Sequence, residues 1–160
     1  MTDIPVAVFD CGVFLQGLIS KAGPAVACLE LVEKESIRLA ISEEVLAEID
    51  DVLSRSHLRR RHQNLTDEKV EKLINMLLER SRYVEKIPRH FSYSRDPNDE
   101  PYLNLAIEIE SDYIVSRDND LLDLMTGHTD EAKEFRQKYR SIRVIEPSKF
   151  LNKIKKRKIE

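Results

Sequence analysis

Short apolar runs that stop at a polar residue alternate along this chain with segments whose apolar positions recur every three or four residues. The run Val6-Ala7-Val8-Phe9 has the length and continuous apolarity of a strand buried on both faces, and it ends at Asp10. A loop containing Gly23-Pro24 follows, then a helix from Ala25 to Glu35 and a second strand from Ile37 to Ile41 that runs into Ser42, a good helix N-cap. Val45, Leu46, Ile49, Val52 and Leu53 form one helical face, and so do Val70, Leu73, Ile74, Leu77 and Leu78 after an opening at Thr66-Asp67-Glu68. Between these helices lies a charged turn, Arg55 to Asn64.

The stretch from Glu85 to Ser94, with Pro88 and no clear period, predicts a surface connection. Pro101 lacks an N–H and fits only a first helical turn, so the next helix begins near Asn98 or Asp99, carries Leu103, Ala106 and Ile107 inward, and ends near Glu110. Tyr113 to Ser116 is a third strand, followed by Arg117-Asp118-Asn119-Asp120 and a short helix from Leu121 to Met125. The polar segment Thr126 to Arg140 predicts a surface helix or excursion; Ile142 to Ile145 is a last strand, and a terminal helix starts at Pro147-Ser148. Alternating strands and helices predict an α/β fold: a central parallel sheet of four to five strands with helices on both faces. Residues 1–151 form one domain and residues 152–160 a basic C-terminal tail.

A length of 160 residues and an apolar fraction of 41% suit one core, so one active region is expected. The net charge of −3 argues against a protein that coats nucleic acid through overall positive charge, leaving local patches such as Arg59-Arg60-Arg61 or the lysines from Lys153 to Lys158 for any such contact. Cys11 and Cys28 are too few for a disulfide framework or a zinc site and suit a reducing cytoplasm. No apolar run approaches the roughly 20 residues of a membrane helix, and the start of the chain lacks signal-peptide character. His57, His62, His90 and His128 show no paired metal spacing.

In parallel sheets ligands bind beyond the C-terminal ends of the strands. Asp10 and Asp118 each follow the end of a buried strand, and the spacing of Asp99 to Leu103 and Ala106 turns it inward. On the helix after the second strand, Glu48 and Asp50 flank opposite margins of the apolar stripe, and periodicity does not choose between them. Converging carboxylates repel, and burying each charge without compensation costs several kcal/mol. A divalent cation removes that cost, and a set of carboxylates without His or Cys suits magnesium, manganese or calcium rather than zinc. Each acid also has an ordinary structural reading: Asp96 before Pro97 and Asp99 as helix caps, Asp10 and Asp118 as turn formers.

Taken in order, Val8-Phe9-Asp10, Ser42 with Glu48-Ile49, Arg95 to Leu103 and Ile114 to Leu122 resemble the PIN-domain family over about Val6 to Leu151, and most closely its toxin–antitoxin branch. The resemblance selects Glu48 over Asp50. It implies a magnesium- or manganese-dependent endoribonuclease that leaves a 5′-phosphate and a 3′-hydroxyl. Asp10, Asp99 and Asp118 then hold metal, Glu48 positions water as a base, and Asp96, Ser116 and Asp120 support the ligands from behind. It further implies an RNA substrate, a small antitoxin partner and homodimers. One departure is Asp10-Cys11-Gly12, where many family members read Asp-Thr-Asn; the alternative function is a catalytically blunted module that binds RNA or a partner. A haloacid-dehalogenase phosphatase needs a second Asp where Gly12 stands, and a response-regulator receiver needs a strand-end Asp and a Lys that the chain does not supply in place.

Overall fold

The computed structural model describes residues 4–159, with side chains described through Arg157. Its strands are β1 (Val6–Phe9), β2 (Arg38–Ser42), β3 (Arg82–Val84), β4 (Tyr113–Val115) and β5 (Arg143–Ile145). They form one sheet in the order β3-β2-β1-β4-β5, with every neighbouring pair parallel. Among the described residues the helices are α1 (Cys11–Ile19), α2 (Pro24–Glu33), α3 (Glu43–Leu53), α4 (Ser56–Arg61), α5 (Asp67–Arg80), α6 (Glu100–Glu108), α7 (Asn119–Thr126), α8 (Asp130–Lys138) and α9 (Pro147–Ile159). A 3-10 turn, Pro97–Asp99, leads directly into α6. The parallel α/β architecture expected from the alternation is therefore present, with five strands.

Strand order reverses about β1: the chain first steps to β2 on one side and later to β4 on the other. Phe9 pairs with Val115 at the C-terminal end of that junction, so the residues just beyond, Asp10 and Ser116, lie side by side. The Asp10 N–H donates to Val115 O at 3.2 Å and the Ser116 N–H to Ile145 O at 3.0 Å, extending the ladder to the sheet's edge. Such a switch point is where parallel sheets open a crevice. Behind it, Phe9 packs against Phe14 of α1 and Phe150 of α9, with ring centroids 5.8 and 6.0 Å apart.

Several local expectations change. The segment after β1, expected as a loop running to Gly23-Pro24, contains α1. Asp10 starts it by accepting the Val13 N–H at 3.1 Å, and Val13 and Phe14 are buried. Gly17 is there for contact: a Cβ would stand 2.4 Å from Leu29 Cδ1 of α2. The charged turn contains α4, and the unforeseen β3 is an edge strand with exposed Arg82 and Tyr83, which leaves no apolar run to signal it. The polar 126–140 segment contains α8, anchored by buried Ala132 and Phe135; the Phe135 ring meets Phe91 and Tyr139 at 5.4 Å. Leu78 points outward, 50% exposed, while Val70, Leu73 and Leu77 carry the buried face of α5. Among the described residues no single helix is long and apolar enough to cross a membrane.

Candidate active site

The aspartates at the switch point owe their places to strand ends and helix caps. Asp10 ends β1 and caps α1. Ser116, fully buried at the end of β4, donates its hydroxyl to Asp10 Oδ2 and accepts the Asp118 N–H at 2.9 Å. Asp118 in turn caps α7, its Oδ1 accepting the Asp120 N–H at 2.9 Å. On the facing segment Asp96 caps the 3-10 turn through the Asn98 N–H at 3.1 Å, and that turn delivers Asp99 into a nearly closed position. Asp96 is thus the cap expected from sequence, Asp99 makes no side-chain cap bond, and Asp10 and Asp118, expected as turn formers, cap helices while converging on the site.

Asp10, Glu48, Asp99 and Asp118 line one cleft of about 510 Å³, with Gln16, Asn98, Tyr102 and Arg117 around them. Asp50, the rival of Glu48 on the helical wheel, is exposed and borders a different depression beside Glu43 and Tyr83. Arg59, Arg60 and Arg61 do not line the acidic cleft. Arg59 is tied down, donating to Leu53 O at 2.7 Å and to Asp67 at 2.6 Å, whereas Arg60 and Arg61 are exposed on α4.

The electrostatics of the cleft are unfavourable for ionised carboxylates. Burial, then the neighbouring charges of Asp118, Asp96 and Asp10, push the Asp99 carboxyl up to about 8. Its Oδ2 is buried with no hydrogen-bond partner. Burial also raises Asp10 to about 6, against the pull of the Ser116 and Val13 hydrogen bonds. Glu48 is raised by desolvation and drawn back by the Tyr102 hydroxyl. That hydroxyl has no partner of full hydrogen-bond geometry, and burial, followed by the charges of Cys11 and Glu48, raises its own pKa.

Asp96, Asp99, Asp118 and Asp120 each offer a carboxylate oxygen, and these four atoms lie within 4.8 Å of one another. The donor set is all oxygen, as a hard divalent ion requires. An unpartnered buried Asp99 oxygen inside it is the atom such an ion would satisfy, so the residues fit the metal. Asp96 and Asp120, read from sequence as supports, stand inside this cluster; Asp10 stands beside it, its oxygens engaged by Ser116 and Val13. Arg95 closes the outer side, its Nε 2.7 Å from Asp120 Oδ1 and its Nη1 2.8 Å from Asp123 Oδ2.

Sequence reading missed Tyr102, Arg95, Arg117 and Gln16. Arg95 carried one usable signal, its position next to the acidic turn. Tyr102 sits within the apolar face of α6, where an aromatic residue reads as core, and it is indeed only 2% exposed.

A family model described as PIN domain matches residues 6–120. No curated protein matches the chain. Among solved structures, the chain resembles one from the VapBC2 complex of Rickettsia felis bound to a DNA fragment from its promoter, at 15% identity and a TM-score of 0.52, covering 88% of this chain and 98% of that one. It also resembles PAE2754 from Pyrobaculum aerophilum, at 14% identity and a TM-score of 0.50, covering 94% of this chain and 89% of that one. Identities this low speak for the fold.

Proposed function

This chain belongs to the PIN-domain family, and from that premise we propose that it is a magnesium- or manganese-dependent endoribonuclease and the toxin of a toxin–antitoxin pair. The observation that carries the reading is the orphaned Asp99 Oδ2 among four carboxylates at the sheet's switch point. Asp96, Asp99, Asp118 and Asp120 offer the metal oxygens, with Asp10 reached through Ser116. When bound, the ion supplies Lewis acidity and charge neutralisation for displacement at phosphorus.

The chain's own groups do the rest. Glu48, half-buried and raised in pKa, faces the cleft from α3 as the base that orients the attacking water and takes its proton. Tyr102 draws the Glu48 pKa back down against desolvation. Arg117, exposed at the cleft and without a hydrogen-bond or ion-pair partner among the described residues, is the cation available to a scissile phosphate. In-line attack leaves a 5′-phosphate and a 3′-hydroxyl.

A small antitoxin that covers the acidic cleft is the partner this reading implies, a reading supported by the VapBC2 neighbour. Homodimers and a cytoplasmic location belong to the same proposal; the free thiols Cys11 and Cys28 suit a reducing compartment. The decisive experiment is cleavage of a mixed-sequence fluorescent RNA with manganese or magnesium, beside Asp118→Asn and an EDTA blank. Metal-dependent cutting abolished by the substitution is expected. RNA binding without cleavage under any metal would instead favour the blunted module, consistent with Gly12 standing where the family carries a carboxamide.

A further inference from the structure

A second cavity exceeds the acidic cleft in volume. A groove of about 870 Å³ runs along the free edge of the sheet at β5, walled by α9 on one side and by the ends of α7 and α8 on the other. Its cations are Arg136, Arg140, Arg143, Lys149, Lys153 and Lys156, and no carboxylate lines it. In a chain of net charge −3 this is a marked local concentration.

Two of the six are engaged. Arg136 is fixed by donating to Leu124 O and Gly127 O at 2.7 and 2.8 Å, and Lys149 lies 3.7 Å from Glu146. Arg140, Arg143, Lys153 and Lys156 are exposed and have no side-chain hydrogen bond or ion pair among the described residues. Lys149, Lys153 and Lys156 share one face of α9, about one helical pitch of 5.4 Å apart. The adjoining face of α9, about 110° round the helix, buries Phe150 and Ile154, so packing sets which way the lysines point. Across the floor, Arg140 and Arg143 supply a second row.

We propose that this groove is an RNA-anchoring site, distinct from the acidic cleft, that grips the phosphates of a single strand whose scissile bond lies in the cleft. The proposal rests on the nuclease reading for the identity of the polyanion. Two rows of cations, of which Arg140, Arg143, Lys153 and Lys156 are unpaired among the described residues, over an apolar floor of Met125, Val144 and Ile145 suit a strand that lays phosphates on the walls and bases between them. The connection to the cleft is direct: α7 starts beside Asp118 and ends at Thr126 on the groove, about 12 Å by helical rise. The acidic cleft repels a polyanion until its metal is in place, so an anchor elsewhere on the molecule gives affinity that the cleft does not.

The test compares wild type with the Lys153→Gln/Lys156→Gln double variant, both exposed positions, with circular dichroism to verify that the fold is kept. Binding of a fluorescent 20-nucleotide RNA is followed by anisotropy against salt, with EDTA present so that nothing is cut. The variant is expected to bind about tenfold more weakly, and its log–log salt slope to be shallower by about 1.4, the loss of two single-strand phosphate contacts. Unchanged affinity and slope would overturn the groove. So would polyglutamate of matched charge that binds as tightly as RNA and loses its binding in the same variant, since the groove would then take acidic polypeptide. Cleavage of a tetranucleotide with manganese separates the two proposals. If wild type cuts it while long-RNA binding ignores the substitutions, only the groove fails; if wild type never cuts but binding depends on the lysines, the nuclease reading fails and the groove stands.

Discussion

The buried Ser116 hydroxyl donates to Asp10 Oδ2, and because it also accepts the Asp118 N–H at 2.9 Å, one hydroxyl couples the acids that end β1 and β4. The two carboxylates approach from different strands, so nothing in either strand alone fixes their separation. Ser116 supplies that constraint with three contacts, counting its own N–H to Ile145 O.

Ser116→Ala should therefore loosen the centre while leaving every acid in place. It removes a donor from a buried carboxylate and an acceptor from a backbone N–H, which costs about 1–3 kcal/mol of stability. Manganese affinity, read by calorimetry, should fall roughly 10–100-fold. Wild-type affinity in a correctly folded Ser116→Ala protein would show that the bridge does not organise the metal oxygens.

Asp99 gives the metal-free protein a pH dependence whose sign follows from its raised pKa. In the unfolded chain this carboxyl loses its proton near 3.8, while in the fold it keeps the proton up to about 8. The native state thus binds more protons across that window, and stability falls as pH rises from about 4 to about 8. Asp10, raised to about 6, adds to the lower part of the slope. Thermal melts of the metal-free protein should drop over this range, and saturating manganese should flatten the drop. Asp99→Asn should raise the metal-free melting temperature at pH 8 and abolish the manganese response. A melting temperature independent of pH would contradict the burial of an ionisable Asp99.

Much of this was legible in the chain, for physical reasons that differ by element. β1 and β4 are buried on both faces and so appear as unbroken apolar runs, which put Asp10 and Asp118 at strand ends without further information. β3 is a three-residue edge strand with two exposed positions, and such a strand has no pattern to read. α1 was hidden because its Gly17 serves contact with Leu29 rather than helix propensity. Asn104 shows the same limit: it looks like a polar interruption between Leu103 and Leu105, yet it is buried and holds the 90–91 connection through the N–H groups of His90 and Phe91 at 2.7 and 2.8 Å. Periodicity left Glu48 and Asp50 level and only the family resemblance separated them, because what turns Glu48 to the cleft is the placement of α3 against α1 and α6, which no single helix encodes.

Tyr102→Phe isolates the tuning of Glu48. The hydroxyl draws the Glu48 pKa downward, so its loss should move the acidic limb of the cleavage pH profile to higher pH and lower the rate near that limb. Stability should change by less than about 0.5 kcal/mol, because the hydroxyl is buried without a well-formed hydrogen bond to lose. A uniform drop in rate with an unmoved limb would assign Tyr102 to packing instead.

Arg95 presents an opposing pair of effects that one substitution can separate. Its guanidinium bridges Asp120 and Asp123 from a position 40% exposed, so the ion pairs contribute little to folding, and Arg95→Ala should change stability by less than about 1 kcal/mol. Within the acidic cluster the consequence is larger. The Asp120 oxygen that lies within 4.8 Å of its counterparts belongs to a carboxylate that Arg95 otherwise neutralises, and removing the cation leaves the cluster one charge more negative. Divalent affinity should then rise severalfold, with the gain shrinking as salt screens the exposed side. If Asp120 takes no part in holding the ion, manganese titration of Arg95→Ala will match wild type at every ionic strength, and the cluster reduces to Asp96, Asp99 and Asp118.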